Sequence, residues 1–371
     1  MKTYLAIMNP ENPYTFSTDQ KSRYDDTGET PTGKESYYIE SKKFPEQTSI
    51  WGMLRLLMLE QAGLLHSNFD YSEQESESIK ELIGAESFDF SSKGEQDFGK
   101  LLSISPVFLC EYGDNGEVQY IVKNPKCNIC KKGFSGLSMK EICGETDYGT
   151  IHLPDKYEGK TGPAEGYINL TTHKCYSDDD LFKRVVQTGN RKNKNGNLID
   201  KAQKSKAFFR RSEYVLKKGE RSNRCFAFFV KTNDVILRDD IVTVGAGKNI
   251  FSIRFVEKEE DLEGLVRKLG DNSSQVWGYA LSDIVLQEVP KYDDFVMVDM
   301  RFVRNIITKA YKDKLSYHSR FSRTPERTVL IQRGSVFYNN CFKISDDEAG
   351  KSKNLKKLGY NKIIVIGGDN K

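Results

Sequence analysis

Several groups of residues combine types and spacings suited to binding chemistry. In Gln47-Thr48-Ser49-Ile50-Trp51-Gly52-Met53-Leu54-Arg55-Leu56-Leu57-Met58-Leu59, helical spacing brings Thr48, Trp51, Gly52 and Arg55 near one face. A small residue and an arginine near a helix start suit close approach of an anionic backbone. A core helix whose Arg55 pairs with a buried acid is the competing reading. Residues 182–224 hold fourteen Lys and Arg, including Arg210 and Arg211, against three acids, with Phe208, Phe209 and Tyr214 interleaved. Lysine and arginine supply phosphate contacts and aromatics stack on unpaired bases, although such runs are often solvated loops. Gly245-Ala246-Gly247-Lys248 also suits an anion. It precedes a strand rather than a helix and lacks the spacing of a nucleotide-phosphate loop, so nucleotide hydrolysis is excluded on that ground.

Cys127 and Cys130 have the Cys-x-x-Cys spacing that lets two thiolates face one tetrahedral zinc. A second pair is missing, so Cys143 with His152, His173 or Cys175 would have to complete a structural zinc site. Free or structural cysteines are the alternative. For acid–base catalysis the chain offers four histidines, of which His318 in Tyr317-His318-Ser319-Arg320 is the best placed. No motif sets a second acid–base group beside it.

The elements that must position these residues follow from composition and pattern. With 371 residues, the chain is long enough for two ordinary domains. A net charge of +3 means that any nucleic-acid site arises from local clustering. Seven cysteines with no regular framework point to a reducing cytoplasm. The longest apolar run, 50–65, is broken by Arg55 and Glu60 and is too short for a bilayer, so no membrane partner is expected. Strands are expected at 2–8, 101–112, 118–122, 224–230, 250–255, 279–289 and 328–338, the last bent at Arg333-Gly334-Ser335, with a final buried strand near 363–366. Gly113-Asp114-Asn115-Gly116 marks a hairpin. Helices are expected at 47–59, capped by Thr48 or Ser49, and at 257–269. Nine acids against two lysines over 70–97 read as a solvated face. The irregular alternation of strands and helices is that of an α+β protein with long insertions.

Four stretches, in order, resemble one family. Pro45 to Arg55 resembles the helix-entry pattern of RAMP-superfamily CRISPR proteins. Ser105 to Leu109 with Tyr120 to Pro125 resembles the following strand pair, Val244 to Lys248 a glycine turn, and Arg333 to Tyr338 a Gly-Ser-containing strand. Ala246-Gly247-Lys248 lacks that turn's glutamate, and Arg333 stands where a small residue is usual. The branch resembled is the tag-binding subunit of the type III-B (Cmr) effector complex. The resemblance implies two ferredoxin-like (RRM-like) domains, divided here as 1–225 and 226–371. It implies a non-catalytic role in the cytoplasm, holding the 5′ tag of the CRISPR RNA (crRNA) beside the large polymerase-like subunit and the repeated backbone subunit, with target RNA met indirectly. The RNA-binding residues expected are Thr48, Ser49, Trp51, Gly52, Arg55, Gly245, Gly247, Lys248, Arg333 and Gly334 from the stretches that carry the resemblance, with Arg210 and Arg211 from the basic segment. Trp51 fits either a stacking platform or the core. A CRISPR RNA-processing ribonuclease using His318, and a pure protein scaffold, are the alternatives.

Overall fold

The computed structural model describes residues 1–17, 21–22, 37–66, 71–92, 94–113, 117–130, 133–142, 151–155, 165–190, 208–219, 222–245, 248–270, 276–285, 295–303, 306–308, 321–323, 327–338 and 350–367. Strand β1 (Lys2–Pro10) is buried on both faces. Its period of two sends Tyr4, Ala6 and Met8 into one apolar cluster and Leu5 and Ile7 into another.

Helices α1 (Gln47–Gln61) and α2 (Glu73–Ile83) follow, the second started by a Ser72/Glu75 capping box. Next come β2 (Leu101–Ile104), β3 (Phe108–Tyr112) and β4 (Val118–Lys123). β3 and β4 form the expected hairpin, with Tyr112 opposite Val118. Short strands β5 (Tyr167–Asn169) and β6 (Cys175–Tyr176) extend that edge. β7 (Phe182–Asn190) and β8 (Phe208–Leu216) form a hairpin in a separate sheet. β9 (Asn223–Thr232), β10 (Asp240–Val244) and β11 (Asn249–Glu257) complete the first sheet.

The order in that sheet is β6-β5-β4-β3-β9-β1-β11-β10, with β2 also on β9. Its centre, β3-β9-β1-β11, has antiparallel neighbours throughout. Numbered along the chain as β1, β3, β9, β11, this is the 2-3-1-4 order of a ferredoxin-like sheet, with α1 between its first and second strands. The hairpin strand β10 stands between the third and fourth strands, where a regular ferredoxin-like unit has a helix.

The elements after β11 include α3 (Leu262–Arg267), β12 (Trp277–Ala280), β13 (Ile284–Val285), β14 (Val296–Met297), β15 (Met300–Val303), β16 (Thr328–Ile331), β17 (Val336–Tyr338), α4 (Gly350–Lys357) and β18 (Ile363–Ile366). Strands β14-β17-β12-β18 repeat the 2-3-1-4 antiparallel order, with α4 between the third and fourth. A small sheet, β13-β16-β15, stands beside it. The second cluster joins Leu5, Ile7, Phe108 and Tyr120 of the first sheet to Trp277, Tyr338 and Ile364 of the second, so the sheets share one apolar interior. The 225/226 division falls inside β9, which pairs with β1 over seven residues, and the first sheet runs on to Glu257. No helix among the described residues is long and apolar enough to cross a membrane.

Three local expectations need correction. Glu46, not Thr48 or Ser49, is the N-cap of α1, and no side chain caps that helix start. The helix expected over 257–269 occupies only Leu262–Arg267, because β11 runs to Glu257 and the Asp261 carboxylate, accepting from the Gly264 N–H at 2.9 Å, sets the start. The strand expected over 101–112 is split at Ser105-Pro106-Val107. There the buried amide of Gln47 replaces a neighbouring strand: its Nε2 donates to Ser105 O at 3.0 Å and Leu358 O at 2.8 Å, and its Oε1 accepts from Val107 N at 3.1 Å. A fully satisfied buried amide pins α1 to both the split strand and the turn after α4.

That turn needs glycine. Gly359 has φ +80°, and a Cβ would lie 2.3 Å from Gln47 Nε2 and 2.7 Å from Ser105 O. Gly52 is the opposite case, on the exposed side of α1 with nothing within 4 Å of a Cβ. Gly359→Ala is expected to destabilise the protein by about 2–4 kcal/mol. Gly52→Ala should stabilise it by about 0.5–1 kcal/mol through helix propensity. Urea unfolding of both variants checks this, and equal losses would show that steric demand does not separate the two glycines.

Candidate nucleic-acid interface

The start of α1 lies where the two sheets meet, and the chain entering it carries Lys42, Lys43 and Glu46. Arg301 of β15 reaches across to it: Nη1 and Nη2 donate to the two Glu46 carboxylate oxygens at 2.6 and 2.9 Å. The same guanidinium donates through Nε to Asp283 at 3.2 Å and pairs with that carboxylate through Nη2 as well. Asp283 in turn accepts from the Arg333 backbone N–H at 2.9 Å. The Arg333 guanidinium donates to Val107 O at 2.5 Å and lies over the Phe44 ring at 4.9 Å. Asp283 is 4% exposed. Burial by itself would raise its carboxyl, but Arg301 and Arg333 outweigh this and hold it at about 2. Glu46 behaves likewise: burial pushes up, while Arg301 and Lys42 bring the net shift down.

All four members of this cluster line an open cleft of 590 Å3. Lys42, Lys43, Lys123 and Lys126 line it, with Tyr167 and Phe44 stacked at 6.0 Å as an aromatic wall. Lys43 pairs with Asp178 at 2.6 Å, Lys126 with Asp299 at 2.9 Å, and Lys42 with Glu46. Lys123 lies over the Tyr167 ring at 4.7 Å. Its ammonium is lowered, first by burial; Asp178 and Glu165 oppose that, and neighbouring Lys43 and Lys126 add to it. The six cations and six carboxylates of the lining balance formally, so the cleft carries no net charge of its own. No histidine or cysteine is among the described residues that line it.

The net positive charge stands beside the cleft, on the β7–β8 hairpin. Tyr214 of β8 lines the cleft. The register sets Arg210 opposite Thr188 and Arg211 opposite Gln187, on alternate faces. Lys183, Arg184 and Arg210 are exposed, and Arg211 pairs with Glu213. The basic run between the two strands, including Arg191, Lys192 and Lys194, lies outside the described residues.

The residues singled out from the sequence are thus divided by the fold. Trp51 is 2% exposed and packs edge-on against Phe98 at 4.9 Å, so its ring is core and presents no face to a base. Arg55 is half-buried and donates to the Gly84 carbonyl at the end of α2, at 3.3 Å. Thr48 and Ser49 are half-buried in the first turn, and Gly52 faces solvent. Gly334 has φ +90° and is buried, with Asn124 O and Lys123 Cγ each 2.9 Å from its would-be Cβ. That close approach is to the protein's own strand end. Gly245 (φ +73°) and Lys248 (φ +48°) close the β10–β11 hairpin through a Lys248 N–H to Gly245 O bond at 3.0 Å, leaving Lys248 exposed. Gly247 lies outside the described residues, as do Cys143 and His318. Cys127 is buried in the second apolar cluster, Cys130 is described only as backbone, and among the described residues no group of three potential ligands is placed to hold a metal. Sequence reasoning misses Lys43, Lys123, Lys126, Arg301 and Asp283. Lys42-Lys43 ahead of Pro45 is the available signal; nothing local marks Asp283 or Arg301, which act only through folding.

No family model matches the chain, and no curated protein sequence matches it. Its fold is shared with a chain of the cryo-EM structure of type III-B Cmr-beta bound to cognate target RNA, with a TM-score of 0.53 at 13% identity, over 97% of this chain and 96% of that one. A chain of the same complex bound to cognate target RNA and AMPPnP matches with a TM-score of 0.51 at 13% identity, over 98% of each.

Removing the acid at the centre of the buried cluster leaves two guanidinium groups short of a partner. Asp283→Asn is expected to cost about 3–5 kcal/mol. Because the folded carboxyl is depressed from 3.8 to about 2, its contribution is present above pH 4 and is lost as pH falls toward 2. Wild type should therefore lose more stability than Asp283→Asn across that window in denaturant titrations; parallel losses would show that the cluster does not hold the carboxylate ionised.

Proposed function

We propose that this chain is the non-catalytic, RNA-binding third subunit of a type III-B CRISPR (Cmr) ribonucleoprotein, holding the 5′ tag of the crRNA. The observation that carries the reading is the end-to-end likeness of both ferredoxin-like units to a chain of a Cmr complex that binds target RNA. Three of the four stretches behind the family resemblance support it: Pro45, Glu46, Lys123, Asn124, Arg333 and Gly334 line the cleft, and Ser105 and Val107 meet Gln47 and Arg333 at the start of α1, whereas Val244 to Lys248 does not line it.

In this reading the exposed cations of the β7–β8 hairpin draw in the RNA backbone, and the cleft lysines exchange carboxylates for phosphates. Sheet-and-loop surfaces of this kind take single-stranded RNA. The partners are the large polymerase-like subunit and the repeated backbone subunit, with target RNA met through the guide. The chain's own chemistry is binding, without cleavage.

Lys123→Glu in the cleft and Arg210→Glu on the hairpin test this. Each should weaken binding of single-stranded crRNA and flatten its salt dependence, by about 0.7 in the log–log slope for every phosphate no longer neutralised. Fluorescence anisotropy at several salt concentrations reads the effect. Unchanged affinity and slope in both variants would overturn the reading. Metal-independent cutting of repeat RNA by the purified chain would replace it with a nuclease.

A further inference from the structure

A second groove, of 460 Å3, opens where β2, α3 and α4 come together. Ile104, Pro106, Phe229, Leu262 and Leu281 form an apolar lining. Lys231, Lys353, Lys356, Lys357 and Lys362 surround it. Three carboxylates also line it, and each is committed to the protein's own groups. Glu260 pairs with Lys258 at 2.5 Å, Asp261 caps α3 through the Gly264 N–H at 2.9 Å, and Glu263 pairs with Lys362 at 3.1 Å. Lys353 and Lys357 meet a single acid, Glu95, at 3.5 and 2.9 Å. The groove is therefore apolar within and cationic at its rim, and it is separate from the lysine cleft at the start of α1.

We propose that this groove docks an acidic segment of a protein partner, with one apolar side chain in the groove and flanking carboxylates on the lysines. The charge of the rim selects an anion. Phe229 is 6% exposed, so no aromatic face is offered to a base. Aliphatic side chains and Pro106 instead suit an apolar anchor surrounded by a polar rim. The groove draws on both ferredoxin-like units, β2 and β9 from one and α4 from the other, so an occupant touches both.

The test uses the full chain and a fluorescein-labelled Glu-Glu-Leu-Phe-Glu-Glu peptide, read by anisotropy. Saturable binding is expected, weakened about tenfold or more by Lys231→Glu combined with Lys353→Glu, and unaffected by Lys123→Glu in the other cleft. Both replaced lysines are exposed, and a matching urea transition confirms that the variant is folded. Absence of saturable binding overturns the proposal. So does equal binding of a Lys-Lys-Leu-Phe-Lys-Lys peptide, or no change in the double variant. A decauridine RNA that binds more tightly, with the same sensitivity to Lys231→Glu and Lys353→Glu, would make the groove a nucleic-acid surface instead.

Discussion

The buried ion cluster of Glu46, Arg301, Asp283 and Arg333 is the constraint on which the rest of the structure depends. It binds the entry of α1, in the first ferredoxin-like unit, to β15 and the Arg333 turn in the second. Asp283 is buried and Glu46, Arg301 and Arg333 are partly so, and charges withdrawn from water in this way are costly unless each is paired and hydrogen-bonded. Here every member has at least one partner, and Arg333 also reaches Val107 O at the split between β2 and β3. The Gln47 amide, one residue along, ties the same split to the turn after α4. Charge and neutral amide together set the angle at which the two sheets share their apolar interior.

The residues that carry the family resemblance consequently do much of their work inside the protein. Gly334 gives room to the Lys123–Asn124 backbone, Gly359 gives room to Gln47 and Ser105, and Arg333 is held by Asp283 and Phe44. These contacts place Lys43, Lys123 and Lys126 around one opening, with the cationic β7–β8 hairpin beside it. On the proposed function, structural and binding roles are coupled, since loss of the ion cluster would also displace the lysines.

Much of the architecture was legible in the sequence. The strand periods of β1, β9 and β11, the pairing of β3 with β4 as a hairpin and the α1 helix stand as expected, because alternation and apolar runs are local signals. The site was less legible. A glycine in a turn announces that something comes close, but the sequence does not say whether that is a ligand or, as at Gly334, another strand. An arginine in an apolar helix announces a partner, but the Gly84 carbonyl that Arg55 reaches is 29 residues away. For Trp51, helical periodicity allowed two faces, and only the packing of Phe98 decides between them. Asp283 and Arg301 lack any local mark: Arg301 reaches Glu46 across 255 residues, and Asp283 meets Arg301 and Arg333 at separations of 18 and 50 residues.

The most direct test of the functional account is to sequence the 5′ ends of RNA that co-purifies with the chain from cells containing its complex. The account predicts one shared 5′ sequence across RNAs whose remaining sequences differ. Heterogeneous 5′ ends, or a complex that purifies without RNA, would contradict it.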